Sequence, residues 1–100
     1  MARFLVIYHG SEMPHDPEIM AQAKAAFVQW VGDVGDAVVD PGAPLRMVAQ
    51  VSNSGADDPV DVSGYSIIEA ENAEAAVALL QSHPFVARCG ILQVNEPVAV

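Results

Sequence analysis

Three histidines are the side chains of this 100-residue chain best suited to acid–base chemistry near neutral pH. His9 follows a short apolar run, His15 lies in the polar connector after it, and His83 precedes a proline. Imidazole titrates close to neutral pH, so a histidine can take up or release a proton under physiological conditions. A carboxylate such as Asp40 or Asp16 would orient the ring and raise its basicity. We therefore predict His83, His9 and Asp40 as catalytic residues of a small polar pocket.

Each histidine also has a structural interpretation, which the sequence leaves open. His9 can simply end a strand. His83, near the C-terminal end of a predicted helix, can hydrogen-bond free carbonyl groups and interact favourably with the helix dipole. His15 can be an exposed connector residue without a role.

Other chemistries have less support in the spacing. The sequence contains no H-x-x-x-H or H-x-H pair, so we predict no metal site and no cofactor. Cys89 has no histidine close to it in sequence and is interpreted as a small buried apolar residue. The serines lack the G-x-S-x-G setting of a nucleophile, and no glycine-rich phosphate loop with a lysine is present.

The first half of the chain predicts a strand, a helix and an interrupted strand. Residues 2–8 are apolar on both alternating faces, which favours a central strand. Asp16-Pro17-Glu18 is a strong helix start, and apolar residues then recur at helical spacing as far as Val34. A strand over residues 36–40 is interrupted by the prolines that follow, because proline cannot donate to a strand ladder, and resumes over residues 45–51.

The second half predicts the same order of elements after a mobile hairpin loop at residues 52–63. Residues 65–70 are rich in β-branched and aromatic side chains, which favour a strand. Asn72 is a helix N-cap, and the helix ends by His83-Pro84, because the residue before a proline disfavours the helical region. A loose turn follows, and residues 91–95 form the last strand.

The order β-α-β-β-α-β is typical of an α+β, ferredoxin-like fold with a four-stranded antiparallel sheet, here as one domain over residues 1–100. In that fold the first strand ends, the first helix begins and the second helix ends at one edge of the sheet. We therefore expect the three histidines at one end of the domain. Four further residues are predicted to bind a ligand there: Tyr8, His15, Asp16 and Gly42.

Two helices cover one face of such a sheet, and the other face is also apolar here. Leu5 and Ile7 are expected on it, with some of the Ile67/Ile68 and Leu92/Val94 positions. An exposed apolar face of this size favours association. We predict a homodimer through the sheet face, related by a two-fold axis, which makes a dimeric α+β barrel.

The composition of the chain excludes several classes of partner. Four basic residues against thirteen acidic ones give a net charge of −9, which disfavours both nucleic acid and an anionic membrane surface. No apolar run approaches the ~20 residues that span a bilayer, and the N-terminal run is too short for a signal peptide. A single cysteine fits a reducing compartment, so we expect a cytoplasmic protein.

Three segments together resemble the YCII-related (DGPF-domain) family: ARFLVIYHG, GDAVVDPGAP and GYSIIEAENAEAAVALLQSHPFVARCGILQV. The resemblance covers nearly the whole chain apart from residues 52–63. It implies a ferredoxin-like fold that pairs into a dimeric α+β barrel, in agreement with the pattern above. Some members are taken to be small enzymes with a first-helix histidine and a nearby aspartate as the proposed catalytic pair.

The chain departs from that family at two places. Its predicted first helix holds no histidine after Pro17, so that role is not carried over. The D-G-P-F motif is altered to Asp40-Pro41-Gly42-Ala43-Pro44, in which Asp40 and Gly42 match loosely. His83-Pro84-Phe85 resembles the H/D-P-aromatic step that follows the second helix in such proteins.

Three functions from different classes are consistent with these residues. The first is a small enzyme that acts on a small organic molecule by histidine-mediated acid–base chemistry. The second is a non-catalytic module that binds a small molecule in the same fold. The third is a dimeric accessory protein whose acidic surface recruits a basic partner.

Overall fold

The computed structural model describes residues 1–10, 16–55 and 58–99. Four strands form one sheet: β1 (Ala2–His9), β2 (Val38–Pro44), β3 (Gly64–Ala70) and β4 (Ile91–Asn95). Three helices accompany it: α1 (Pro17–Val34), α2 (Ala73–Leu80) and α3 (Pro84–Ala87). A single 3₁₀ turn at Gly35–Ala37 joins α1 to β2.

The sheet has the strand order β2-β3-β1-β4, and every neighbouring pair is antiparallel. Strands β1 and β2 are therefore parallel to each other with β3 between them, and β3 and β4 are parallel with β1 between them. This is the split β-α-β arrangement. The predicted α+β fold with a four-stranded antiparallel sheet is confirmed.

The helix starts follow from local side-chain chemistry. The Asp16 carboxylate accepts a hydrogen bond from the Glu18 N–H at 2.8 Å, and Pro17 occupies the first helical position. The Asn72 side chain accepts from the Ala75 N–H at 2.8 Å. Both predicted caps are confirmed, because a short polar side chain satisfies an N–H group that has no partner within the helix.

His83 has a different place from the one expected. Helix α2 ends at Leu80, and His83 caps the next helix, since its Nδ1 accepts from the Phe85 N–H at 3.0 Å. The segment after Pro84 is thus helix α3 rather than a loose turn. The interpretation of His83 as a donor to free helix carbonyls is wrong for its ring, because Nδ1 acts as an acceptor.

Strand β2 also differs from its prediction. It runs on through the prolines to Pro44, with two register irregularities against β3, while residues 45–51 form no regular strand. Proline is tolerated here because β2 lies at the edge of the sheet, where one row of N–H groups has no ladder partner. Gly42, with φ of 75°, brings the bulged backbone against β3.

The core lies between the sheet and the helices. Phe4, Val6 and Ile68 point from the central strands toward Trp30 of α1 and toward α2, and all are almost fully buried. Alternate residues point the other way, so Leu5 pairs with Ile67 on a face that none of the described helices covers. The molecule is a slab 19 Å thick, which is one helix layer on one sheet.

No helix within the described ranges is both long enough and apolar enough to cross a bilayer.

Candidate functional site

Tyr8 is the centre of a hydrogen-bonded chain that crosses three strands. It lies near the end of β1 and faces the helix layer, as Phe4 and Val6 do. Its hydroxyl is 2.7 Å from Ser66 Oγ on β3 and 2.8 Å from His83 Nε2. Ser66 Oγ in turn donates to the Pro41 carbonyl of β2 at 2.7 Å. This series of hydrogen bonds therefore joins the start of α3 to the edge strand through Tyr8.

The groups at the two ends of this hydrogen-bond series determine where each of its hydrogens lies. The Phe85 N–H can only donate, so Nδ1 of neutral His83 carries no hydrogen and Nε2 carries it. The Pro41 carbonyl can only accept, so the Ser66 hydroxyl hydrogen points to it. Tyr8 must then donate to Ser66 and accept from His83 Nε2–H. One tautomer of His83 and one orientation of the Tyr8 hydroxyl satisfy all the partners.

Burial among aromatic rings keeps His83 neutral. The residue is 2 % exposed, and its ring centroid lies 4.5 Å from that of Trp30, 5.1 Å from Tyr8 and 5.5 Å from Phe27. Desolvation, with a smaller repulsion from Arg88, lowers the pKa of His83 to about 4. The expectation that a carboxylate raises the basicity of a catalytic histidine is therefore wrong for His83.

Burial also keeps Tyr8 in its protonated form. Desolvation raises the pKa of Tyr8 above its ordinary value, and the hydrogen bond with Ser66 opposes this only in part. A phenol oxygen has one hydrogen to donate and two lone pairs. Ser66 takes the hydrogen and His83 uses one lone pair, so the Tyr8 oxygen can accept one further hydrogen bond. A ligand hydroxyl is the kind of group that this position suits.

His9 belongs to a different surface from His83. It follows Tyr8 directly on β1 and therefore points to the opposite face of the sheet. Its Nδ1 contacts the Asp61 carbonyl, and its Nε2 lies 3.4 Å from Gln93 Oε1 on β4. The strand ends do meet at one edge of the sheet, but the alternation of side chains separates these two histidines. The prediction that they share one pocket is wrong.

The two carboxylates predicted to orient a histidine accept hydrogen bonds from backbone N–H groups of their own segments instead. Asp40 Oδ1 accepts from the Gly42 N–H at 2.8 Å, and Asp16 caps α1. Neither orients His83, because Phe85 and Tyr8 already occupy both ring nitrogens. His15 lies outside the described residues. Of the predicted site residues, the structure thus joins Tyr8 directly to His83, and it places Asp40 and Gly42 on either side of Pro41.

Sequence reasoning missed Ser66 and the carbonyl of Pro41. Ser66 is fully buried between two apolar neighbours on the inward row of β3, Gly64 and Ile68. A polar residue at an inward position of an apolar strand needs a buried partner, and this was the available signal. The Pro41 carbonyl has no side-chain signal, because the bulge of β2 determines where it points.

Within residues 1–10, 16–55 and 58–99, no three side chains of the metal-ligating types cluster closely enough to hold a metal ion.

Comparison with known proteins gives a structural likeness. No protein-family model matches the sequence, and no curated protein does. The fold is similar to that of 5-chloro-2-hydroxyhydroquinone dehydrochlorinase (TftG) from Burkholderia phenoliruptrix AC1100, solved in complex with 2,5-dihydroxybenzoquinone. The TM-score is 0.63 at 17% sequence identity, and the match covers 98% of this chain and 95% of that one. At this identity the likeness supports the fold.

Proposed function

We propose that this chain is a small enzyme that binds an oxygen-bearing organic molecule at Tyr8 and moves a proton at the Tyr8 hydroxyl. The observation that carries the proposal is the closed hydrogen-bond chain from the Phe85 N–H to the Pro41 carbonyl. A half-buried tyrosine with hydrogen-bond partners on both sides is typical of a positioned acid.

The proposed step uses Tyr8 as a neutral acid. The Tyr8 hydroxyl turns from Ser66 to an oxygen of the substrate and passes its proton there, which leaves a phenolate at Tyr8. The His83 Nε2–H already points to that oxygen, and the Ser66 hydroxyl can turn from Pro41 to become a second donor. These two hydrogen-bond donors, His83 already in place and Ser66 after its hydroxyl turns, stabilise the developing negative charge. Tyr8 is then the catalytic residue, and His83 and Ser66 are positioning residues.

The substrate class proposed is a hydroxylated aromatic or quinonoid molecule. Such a molecule offers a hydroxyl for the remaining lone pair of Tyr8 and a carbonyl oxygen for its proton. The structurally similar dehydrochlorinase supports this choice. The hydroquinone in its name and its bound 2,5-dihydroxybenzoquinone both belong to this class.

The finer identity of the protein is part of the same proposal. We place the chain with the YCII-related proteins, as a homodimer joined through the open sheet face and working in the cytoplasm. The apolar pairs on that face support the dimer. Cys89 is exposed, so its interpretation as a buried residue is wrong, and its free thiol supports a reducing compartment.

The test is binding of 2,5-dihydroxybenzoquinone, followed by quenching of the single tryptophan. Trp30 lies 4.5 Å from the His83 ring and therefore reports on the site. Tyr8→Phe removes the hydroxyl and is expected to weaken binding about tenfold, since one hydrogen bond to a ligand contributes about 1.4 kcal/mol. Tyr65→Phe is the matched control, because Tyr65 points to the open face of the sheet. Equal affinity of wild type and Tyr8→Phe would remove the proposed role.

A non-catalytic binding protein is the second candidate. It is favoured by the full pairing of the site, since no buried side-chain polar atom in the described part of the chain is without a partner. The two functions differ in turnover on a panel of hydroxylated quinones and phenols. Binding that depends on Tyr8 without any product would establish the second.

A further inference from the structure

The connection between β2 and β3 carries an unusual apolar surface. Its two legs, residues 45–51 and 58–63, are together called the arm. Val48 is 87% exposed and Val51 is 95% exposed, although both are large apolar side chains. Three more on the arm are at least 45% exposed: Leu45, Met47 and Val60. Single exposed apolar residues are ordinary on protein surfaces, but five on one short segment form a patch that favours association.

The arm has a defined form rather than that of a loose connector. At its base, the Leu45 N–H donates to the Ser63 carbonyl at 2.9 Å. Further out, the Gln50 side chain donates to the Asp58 carbonyl and accepts from the Val60 N–H, both at 3.0 Å. The two legs are thus tied together while their apolar side chains face solvent.

The whole chain has more surface than a stable monomer of its size. Its accessible area is 7106 Å², whereas a folded chain of this mass exposes about 5,400 Å². Its radius of gyration is 14.8 Å, against about 13 Å for a compact chain of 100 residues. The excess area, roughly 1,700 Å², exceeds the ~800 Å² that each partner buries in a standard interface.

Charge indicates what covers the arm. The outgoing leg, residues 45–51, contains one charged side chain, Arg46, in a chain whose net charge is −9, whereas the returning leg carries Asp58 and Asp61. The outgoing leg of the arm is therefore an apolar and weakly basic segment of an acidic molecule. A second copy of the same chain offers the apolar outgoing leg an apolar sheet face, and it offers Arg46 an acidic surface.

We propose that the arm clasps a second copy of this chain, with Val48 and Val51 buried against it and Arg46 beside its acidic surface. The clasp is an addition to the sheet-face contact. It rests on the proposed dimer but not on the proposed chemistry at Tyr8, so a failure here leaves the binding test at Tyr8 unaffected.

The first experiment measures the dimer dissociation constant by sedimentation equilibrium. The double variant V48S/V51S is expected to raise this constant at least tenfold, because the burial of two valines is a large part of the contact. Val28→Ser is the matched control, since Val28 is 60% exposed on α1, and it is expected to leave the constant unchanged. Equal constants for wild type and V48S/V51S, or a wild type that stays monomeric at ~100 µM protein, a concentration at which a micromolar dimer is saturated, would overturn the clasp.

The second experiment uses trypsin on the full-length wild-type chain. Arg46 lies on an exposed arm in the monomer, so cleavage after it should be fast in dilute protein and slow at concentrations where the dimer forms. Arg88, which is also exposed, is the internal control. Protection of Arg46 that rises with protein concentration supports the clasp. A dimer in which Arg46 is cut as fast as in the monomer contradicts it, whether the arm is then free or serves another partner.

Discussion

At the residue scale, the surroundings of His83 decide which chemistry it can perform. An exposed imidazole would be partly charged near neutral pH, and the sequence offered it as an acid or base on that ground. In the fold it lies among Trp30, Phe27 and Tyr8 with both nitrogens bonded, and its pKa falls to about 4. His83 therefore acts as a neutral donor to Tyr8, and protonation at Nδ1 would break its bond to the Phe85 N–H.

The first consequence of this environment is a loss of stability in mild acid. The unfolded chain takes up a proton on this imidazole below its ordinary pKa of 6.5, whereas the folded chain does so only near a pKa of about 4. Between those values the unfolded state binds more protons, so the free energy of unfolding falls as the pH is lowered. The loss over that window is expected to be about 3 kcal/mol, and no further loss from this group occurs below it.

The measurement is urea denaturation followed by Trp30 fluorescence from pH 7 to pH 4. His83→Asn is the comparison variant, because asparagine retains an acceptor for the helix N-terminus but does not titrate. The carboxylates contribute to both proteins, so the difference between their profiles isolates His83. Parallel profiles would show that this imidazole does not become neutral on folding.

At the element scale, the bulged edge strand β2 supplies the acceptor that orders the site. Gly42 has φ of 75°, a value that favours glycine, and a Cβ there would lie 1.7 Å from the Tyr65 carbonyl oxygen. The absence of a side chain lets β2 approach β3 closely enough for the Pro41 carbonyl to reach Ser66. The D-P-G-A-P segment thus acts on the site through its backbone rather than through the Asp40 carboxylate.

Gly42→Ala is therefore expected to destabilise the fold by about 3 kcal/mol or more, through both backbone strain and the clash with β3. Gly55→Ala is a close control, because Gly55 has φ of 74° but no atom of the described residues within 4 Å of its Cβ position. That variant should lose only about 1 kcal/mol from the strain alone. Thermal denaturation of the two variants measures the difference. Equal losses would mean that contact with β3 is unimportant.

At the scale of the whole molecule, a monomer would leave the apolar open face of the sheet in contact with water. Leu5 is 40% exposed at the middle of a central strand, beside Ile67, and the slab is only 19 Å thick. An antiparallel sheet with one face in water normally carries polar residues on that face, so an apolar open face indicates a further cover. In the proposed dimer, the second copy covers the open face of the sheet.

Leu5→Lys should therefore separate the dimer while the fold persists, since a lysine on this face places a charge in an apolar contact. The expected result in sedimentation is a single species at the monomer mass with an unchanged circular dichroism spectrum. Ile19→Lys is the control, because Ile19 is 48% exposed on α1. A Leu5→Lys protein that still dimerises like wild type would show that the chain does not pair through this face.

The sequence by itself determined the elements and their order. The caps at Asp16 and Asn72, the alternating apolar residues of β1 and β3, and the helical stripe that ends at Trp30 and Val34 are local patterns, and local hydrogen bonding and burial enforce them. The predictions from sequence are wrong at the second strand and at the segment after Pro84. The second strand continues through its prolines because it lies at the edge of the sheet, and the segment after Pro84 is helical because the His83 ring caps it.

Only the tertiary structure decided which side chains share the site. His9 and Tyr8 are neighbours in sequence, yet the pleat sends them to opposite faces of the sheet. Tyr8, Ser66, Pro41 and His83 come together across as many as 75 positions of the chain, through strand register and a bulge. The pKa of His83 follows from that assembly, because burial is a property of the packed fold and no single segment specifies it.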